Sequence, residues 1–178
     1  MTRTQLEHLL RAASTIAEDD EIIVVGSQAI LGQFPDAPAA LLVSNEADVY
    51  PRNREDRADL IDGSIGELSP FHDTYGYYAQ GVGSTTAILP LGWESRLIAI
   101  RNENTRGATG LCLEVHDLLV SKLAAGRDKD ITFARVALAH GLATVEVLRE
   151  RIAVTPLDEP LRTAVESRLA VACRAERA

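Results

Sequence analysis

Of the 18 basic residues in this chain only Lys122 and Lys129 are lysines. The arginine bias fits genome composition as readily as function, and its main consequence is that both lysines are easy to test. Aromatic residues make up 4% of the chain, too few for an extended stacking platform along single-stranded nucleic acid. There is no excess of positive charge either: 26 acidic against 18 basic residues give a net charge of −8. This argues against a general nucleic-acid binder, because the global field repels phosphate. An enzyme that takes one end of an RNA through a local basic patch is not. The two cysteines, Cys112 and Cys173, are far apart and form no disulfide framework, so buried thiols in a reduced cytoplasm are expected. No apolar run approaches membrane-spanning length, and MTRTQLEHLL at the start has no signal-peptide core; a cytoplasmic protein without membrane contact is expected.

With 178 residues and 46% hydrophobic content, one domain with a real core is affordable. The stretch that organises it is Ile22 to Pro51. A β-branched run, Ile22 to Val25, reads as a buried strand, and Gly26-Ser27 follows at once. Gln28 to Phe34 is helix-compatible, and Gln33 to Ala40 is a loop with two prolines. Leu41 to Tyr50 then reads as a second strand carrying Glu46 and Asp48. Period-2 geometry puts these two carboxylates on one face, with Ala47 and Val49 on the other. Adjacent acids repel unless a cation lies between them, and a hard divalent ion such as Mg²⁺ takes oxygen ligands of this kind. A glycine–serine turn at a helix start offers N–H groups and a hydroxyl to a phosphate. From the residues alone, each feature keeps a plain alternative. Gly26 could simply start a turn, and Glu46 and Asp48 could be an exposed sheet edge.

Elsewhere, Thr4 is expected to cap a first helix running to about Glu18, and Glu55 to Ile65 reads as a helix whose Asp59 and Asp62, at a spacing that can serve metals, are expected to form a solvated face. Ser69 to Gly83 holds His72, Tyr75, Tyr77 and Tyr78. It is either a loop facing a base or ribose, or a glycine-broken hairpin whose tyrosines pack. Thr85 to Leu89, Leu97 to Ile100 and Leu111 to Val115 read as strands. Asp117 to Ala125, Asp128 to His140, Thr144 to Ile152 and Pro160 to Arg174 read as helices, with Gly141 as a left-handed cap. Strands first and helices later argue for an α+β fold.

A glycine–serine turn after an apolar strand, followed by an acid-x-acid strand, resembles the nucleotidyltransferase fold of the DNA polymerase β type. DLLVSKLAAGRDKDITF, Asp117 to Phe133, is similar to a segment of the AbiEii/MenT toxin-like branch of that fold. The resemblance covers roughly residues 20 to 140. It implies a nucleotidyltransferase-like mixed β-sheet flanked by helices, with residues 1–110 as the α/β core and a mostly helical part, 111–178, completing the site in a single compact unit. It further implies Asp48, Lys122 and Asp130 as catalytic residues, Glu46 and Asp48 as ligands of Mg²⁺, and Gly26, Ser27, Lys122 and Arg127 as nucleotide-binding residues. Asp130 would pair with Lys122 or Arg127, or accept a proton from the attacking hydroxyl. Two departures stand out. The proline loop lengthens the Ser27 to Glu46 spacing, and glutamate occupies the first metal position, where aspartate is usual. Glu94 and Glu114 are the positional candidates for a third acid.

The reaction so implied is Mg²⁺-dependent transfer of NMP from an NTP to an acceptor hydroxyl, such as a tRNA 3′ end in a toxin–antitoxin setting. Two alternatives stand beside it. One is an AMP-transferring antitoxin acting on a partner protein, such as a cognate toxin. The other is a non-catalytic nucleotidyltransferase-fold module that binds a partner. The sequence-based reading requires Glu46, Asp48, Ser27 and Lys122 to serve one cleft.

Overall fold

The computed structural model describes residues 1–174. In chain order the chain forms α1 (Arg3–Ala17), β1 (Glu21–Val24), α2 (Ile30–Gln33), β2 (Glu46–Pro51), α3 (Ala58–Ile65), α4 (Pro70–Tyr75) and β3 (Tyr78–Gly81). There follow β4 (Ile98–Ile100), β5 (Thr109–Cys112), α5 (Val115–Ala125), α6 (Asp128–Ala139), α7 (Val145–Ala153) and α8 (Glu159–Arg174). The α+β expectation holds: five strands make one mixed sheet in the order β3-β2-β1-β5-β4. The central strand β1 runs antiparallel to β2 and parallel to β5. At the edges β2 pairs with β3 in parallel, and β5 with β4 antiparallel. Among the described residues no helix is long and apolar enough to cross a membrane.

Two compact units are present. The first comprises Met1–Thr86 with Arg96–Glu114 and contains the whole sheet. The second comprises Ala87–Ser95 with the chain from Val115 onward, hence α5 to α8.

In the first unit, α1 lays Leu6, Leu9, Leu10, Ala13 and Ala17 into the core at helical spacing. Gly110 and Cys112, two apart on β5, lie against Leu10 of α1 and Gly32 of α2. The two helices therefore cover the same face of the sheet. Thr2 caps α1, not Thr4: its hydroxyl accepts from Gln5 N and the Gln5 side chain answers to Thr2 N, closing a capping box. A box begun at Thr4 would need Glu7 at its third position, and Glu7 is committed elsewhere. It is buried at 4% exposure, where its carboxylate accepts from Arg3 Nε at 2.9 Å and from Asn102 Nδ2 and Asn104 Nδ2 at 2.8 Å each. Burial pushes the Glu7 carboxyl up, but the hydrogen bonds from Asn104, Asn102 and Arg3 outweigh it and hold the group below its ordinary range.

Several expected elements differ. The strand expected from Leu41 starts only at Glu46, because Pro38 opens a 3₁₀ turn over Ala39–Leu41. Pro51 belongs to β2, opposite Ile22 as its last residue, where the missing N–H costs no ladder bond. Thr85 to Leu89 forms no strand: Ser84–Thr86 is a 3₁₀ turn, and Leu89 is buried from irregular chain. Ser69 to Gly83 is neither loop nor hairpin but α4 followed by β3.

Removing the Glu7 carboxylate orphans two asparagine amides that tie α1 to the turn at 102–105. We expect Glu7→Ala to destabilise the fold by about 1–3 kcal/mol, read as a fall of several degrees in a thermal melt. An unchanged melt would show that this tie is dispensable.

Candidate active site

In the first unit, β1 delivers the chain to Gly26 directly beside the middle of β2. Val24 pairs with Val49, and Val25 N donates to Asp48 O at 3.0 Å. A Cβ at position 26 would overlap the Asp48 carboxylate, meeting Oδ2 far inside van der Waals contact. Glycine is therefore required here by close approach, and the acid lies against bare backbone. The alternation expected of β2 is present: Glu46 and Asp48 are half-buried on one face, and Ala47 and Val49 are buried on the other.

Ser27 opens a three-residue 3₁₀ turn, Ser27–Ala29, which runs into the four-residue α2. The helix expected over Gln28 to Phe34 is thus two short turns. A macrodipole from so few residues is small, and any grip on phosphate must come from local amides and the serine hydroxyl. Behind it, fully buried Gln28 donates to Ser44 O at 3.1 Å. The Ser44 hydroxyl in turn bonds the Glu46 backbone, so the Ser27–Ala29 turn braces the entrance to β2.

Tyr78, named from sequence only as one of the aromatics of Ser69 to Gly83, also belongs to this site. Parallel pairing sets Tyr78 of β3 beside Glu46, and its hydroxyl donates to Glu46 Oε2 at 3.4 Å. The Tyr78 ring rests on His72 of α4, 4.6 Å between centroids. Burial first, and then the negative charge of Glu46, push the phenol above its ordinary range, so it remains a donor. This contact takes up the slack of the longer glutamate. The crowding of aromatics after Ser69 was the available signal, but the pairing that aims Tyr78 comes from register. Its neighbours do pack: Tyr77 OH and His8 Nδ1 are 2.8 Å apart, with Phe71 and Tyr75 around the His8 ring.

The second unit holds the other cluster. Lys122 of α5 is buried at 9% exposure, and its Nζ lies 3.2 Å from Oδ1 of Asp130, itself 0% exposed. Arg127 closes on the same carboxylate, Nε to Oδ2 at 2.6 Å, and Lys122 also sits 5.1 Å over the Phe133 ring. The turn between α5 and α6 depends on Gly126, whose left-handed φ of +68° an L side chain rarely adopts. Arg168 of α8 caps the end of α5 by donating to Leu123 O at 2.7 Å and Ala124 O at 3.0 Å. Burial raises the Asp130 carboxyl, but the Arg127 hydrogen bond and the Lys122 charge more than offset it, leaving the group below the usual aspartate range. Asp117, in the first turn of α5, is fully buried with its Oδ1 3.3 Å from Arg151 Nε of α7.

The structure thus brings Gly26, Glu46 and Asp48 together, with Ser27 at the same turn, and separately Lys122, Arg127 and Asp130. The two groups belong to different units. Neither Glu94 nor Glu114 makes a third acid: among the described residues no cluster of three potential ligands exists. Two hard carboxylates on one strand face, one bedded on a backbone a Cβ would fill, fit a divalent ion that keeps the rest of its shell for water and phosphate oxygens.

A carboxylate pair seated on a glycine turn within a mixed sheet is the arrangement of the nucleotidyltransferases as a class, enzymes that generally use divalent metal ions. Residues 4–163 match the family described as nucleotidyltransferase of unknown function (DUF6036), and the chain belongs to that family. No curated protein and no solved structure gives a significant match.

Two expectations follow. Gly26→Ala should displace the Asp48 carboxylate and weaken Mn²⁺ binding, followed by paramagnetic resonance, with a much smaller loss in melting temperature. Unaltered Mn²⁺ affinity would contradict the bedding of Asp48 on residue 26. Asp130→Asn should cost about 3–5 kcal/mol at neutral pH, the range for breaking a buried pair. A carboxyl whose pKa is depressed by folding stabilises fully above its unfolded value of about 3.9, and that contribution disappears as pH falls through the lower folded value. The stability gap between wild type and variant, measured by denaturant titration, should therefore close below pH about 4. Parallel curves down to the acid limit would refute the pairing.

Proposed function

We propose that this protein transfers a nucleoside monophosphate from a Mg²⁺-bound NTP to an acceptor hydroxyl, with an RNA 3′ end as the leading acceptor. The single observation that carries the reading is the Asp48 carboxylate lying on the Gly26 backbone with Glu46 beside it on the same face of β2. The likeness of Asp117–Phe133 to the AbiEii/MenT toxin-like branch supports tRNA as that RNA and a toxin–antitoxin setting.

Glu46 and Asp48 would hold the ion, which when bound polarises the α-phosphate and offsets charge on the triphosphate. Tyr78 orients Glu46 through its hydroxyl. Ser27 and the neighbouring amides bind phosphate oxygens. The acceptor hydroxyl gives its proton to solvent water as its oxygen attacks the α-phosphorus and the bond to pyrophosphate breaks, so positive charge near the leaving group lowers the barrier. The resemblance assigns that charge to Lys122 and Arg127. Asp130, already accepting from both cations and with its carboxyl below the ordinary range, is a poor proton acceptor. Its role is to keep the Lys122 ammonium charged and aimed.

The test is incubation with each α-labelled NTP, Mg²⁺ and either total RNA or lysate protein. Label on RNA with one NTP is expected, and Asp48→Ala should reduce it on the order of a hundredfold or more. Label on a single protein would favour the AMP-transferring antitoxin. Absence of both label and Mg²⁺-dependent nucleotide binding would favour a binding module. Because Lys122 is buried against Asp130, Lys122→Ala will also cost stability. The double variant Lys122→Met/Asp130→Asn, which removes both charges, should recover melting but not transfer. Recovery of transfer as well would make Lys122 purely structural.

A further inference from the structure

Within the first unit a groove of about 810 Å³ lies between the C-terminal half of α1 and the segment before β5, and three guanidinium groups line it: Arg11, Arg101 and Arg106. Such a concentration is notable in a chain of net charge −8 with sixteen arginines and two lysines. The groove is held in shape from within. The buried Glu7 carboxylate fixes Asn102 and Asn104, Asn102 caps the turn Glu103–Thr105, and Arg11 Nη1 donates to Asn104 O at 2.6 Å. Two of the three non-glycine residues with left-handed backbone among those described, Glu18 and Arg106, also line it. Both are C-cap residues, Glu18 of α1 and Arg106 of the turn Glu103–Thr105, so the two turns that end there shape the rim of the groove. The acidic wall is partly neutralised, because Glu18 is engaged by Arg57 at 2.7 Å and Arg54 at 3.2 Å. Asp20 adds a carboxylate that accepts hydrogen bonds but donates none.

We infer that this groove binds the sugar–phosphate backbone of a single RNA strand. Arginine forks match phosphate oxygens in pairs, which favours a phosphodiester. The Asp20 carboxylate suits a ribose 2′-hydroxyl donor, which separates RNA from DNA and from an acidic peptide. Position adds to the case. The groove is at the Asp20 end of β1 and the acid pair at the Gly26 end, six residues or roughly 20 Å of extended chain apart. A mononucleotide does not reach both. A strand rising roughly 3.4 Å or more per nucleotide does so with about six nucleotides or fewer. The inference rests on the proposed transferase reading for the purpose of the bound strand, which is to hold an acceptor whose end is modified elsewhere.

The test is fluorescence anisotropy of a labelled, unstructured twelve-nucleotide RNA against the full chain across a salt series. Three neutralised phosphates give a slope of log affinity on log salt of about −2. Arg101→Gln/Arg106→Gln should lower affinity roughly tenfold and bring the slope toward −0.7; adding Arg11→Gln should bring it near zero. The double variant leaves the Arg11–Asn104 bond in place, so a melt within a few degrees of wild type separates groove loss from unfolding. Equal binding of the matching DNA, preference for poly-glutamate, or affinity unmoved by the substitutions would overturn the inference. Asp48→Ala should bind RNA as wild type does. If wild type binds RNA through these arginines yet transfers no label, the transferase reading fails and the groove stands. If transfer at limiting RNA is undiminished in the double variant, the groove fails and the transferase reading stands.

Discussion

The candidate site depends on a contact that only a missing side chain allows. Asp48 rests its carboxylate on the backbone of residue 26, and the antiparallel register of β1 and β2, with Val24 opposite Val49, makes the meeting unavoidable. A slip of one residue would turn Glu46 and Asp48 into the core and Ala47 and Val49 out to the site. The hydrophobic alternation that builds the sheet is thus the same constraint that aims the acids. Strand pairing continues the effect outward: because β3 runs parallel to β2, Tyr78 falls beside Glu46 and compensates for a side chain one methylene longer than aspartate.

The second unit solves a different electrostatic problem. A lysine buried to 9% exposure and an aspartate at 0% would each be costly alone. Together, with Arg127 closing the carboxylate from the more exposed side, they form a set whose formal charge is one positive unit. Such a set holds an ammonium in a fixed direction at modest net cost. It also argues against proton transfer through Asp130, whose lone pairs are already occupied by two cations.

Much of the α+β order and of the individual clusters was legible from residue pattern. Period-2 alternation placed Glu46 and Asp48 on one face, the apolar run gave β1, and Gly141 marked the end of α6, where its φ is +66°. What was not legible followed from long-range pairing. Leu41 to Asn45 is as apolar as a strand, but the Pro38 turn and the bracing of Ser44 by Gln28 delay β2 to Glu46. Tyr78 gained its place from a parallel neighbour more than thirty residues away, and the burial of Asp117 came from Arg151 on α7. Thr2 with Gln5 and Thr4 with Glu7 have the same capping spacing, and it is the commitment of Glu7 to Asn102 and Asn104 that leaves the box to Thr2.

The reach of Arg168 back to the last carbonyls of α5 bears on how the protein is made. Ribosomes release a chain from its first residue onward. The five strands and the Gly26 turn are complete before α8 has been synthesised, whereas the corner bearing Lys122 waits for Arg168 to secure it. A nascent polypeptide therefore carries its acid pair before its Lys122 corner is fastened.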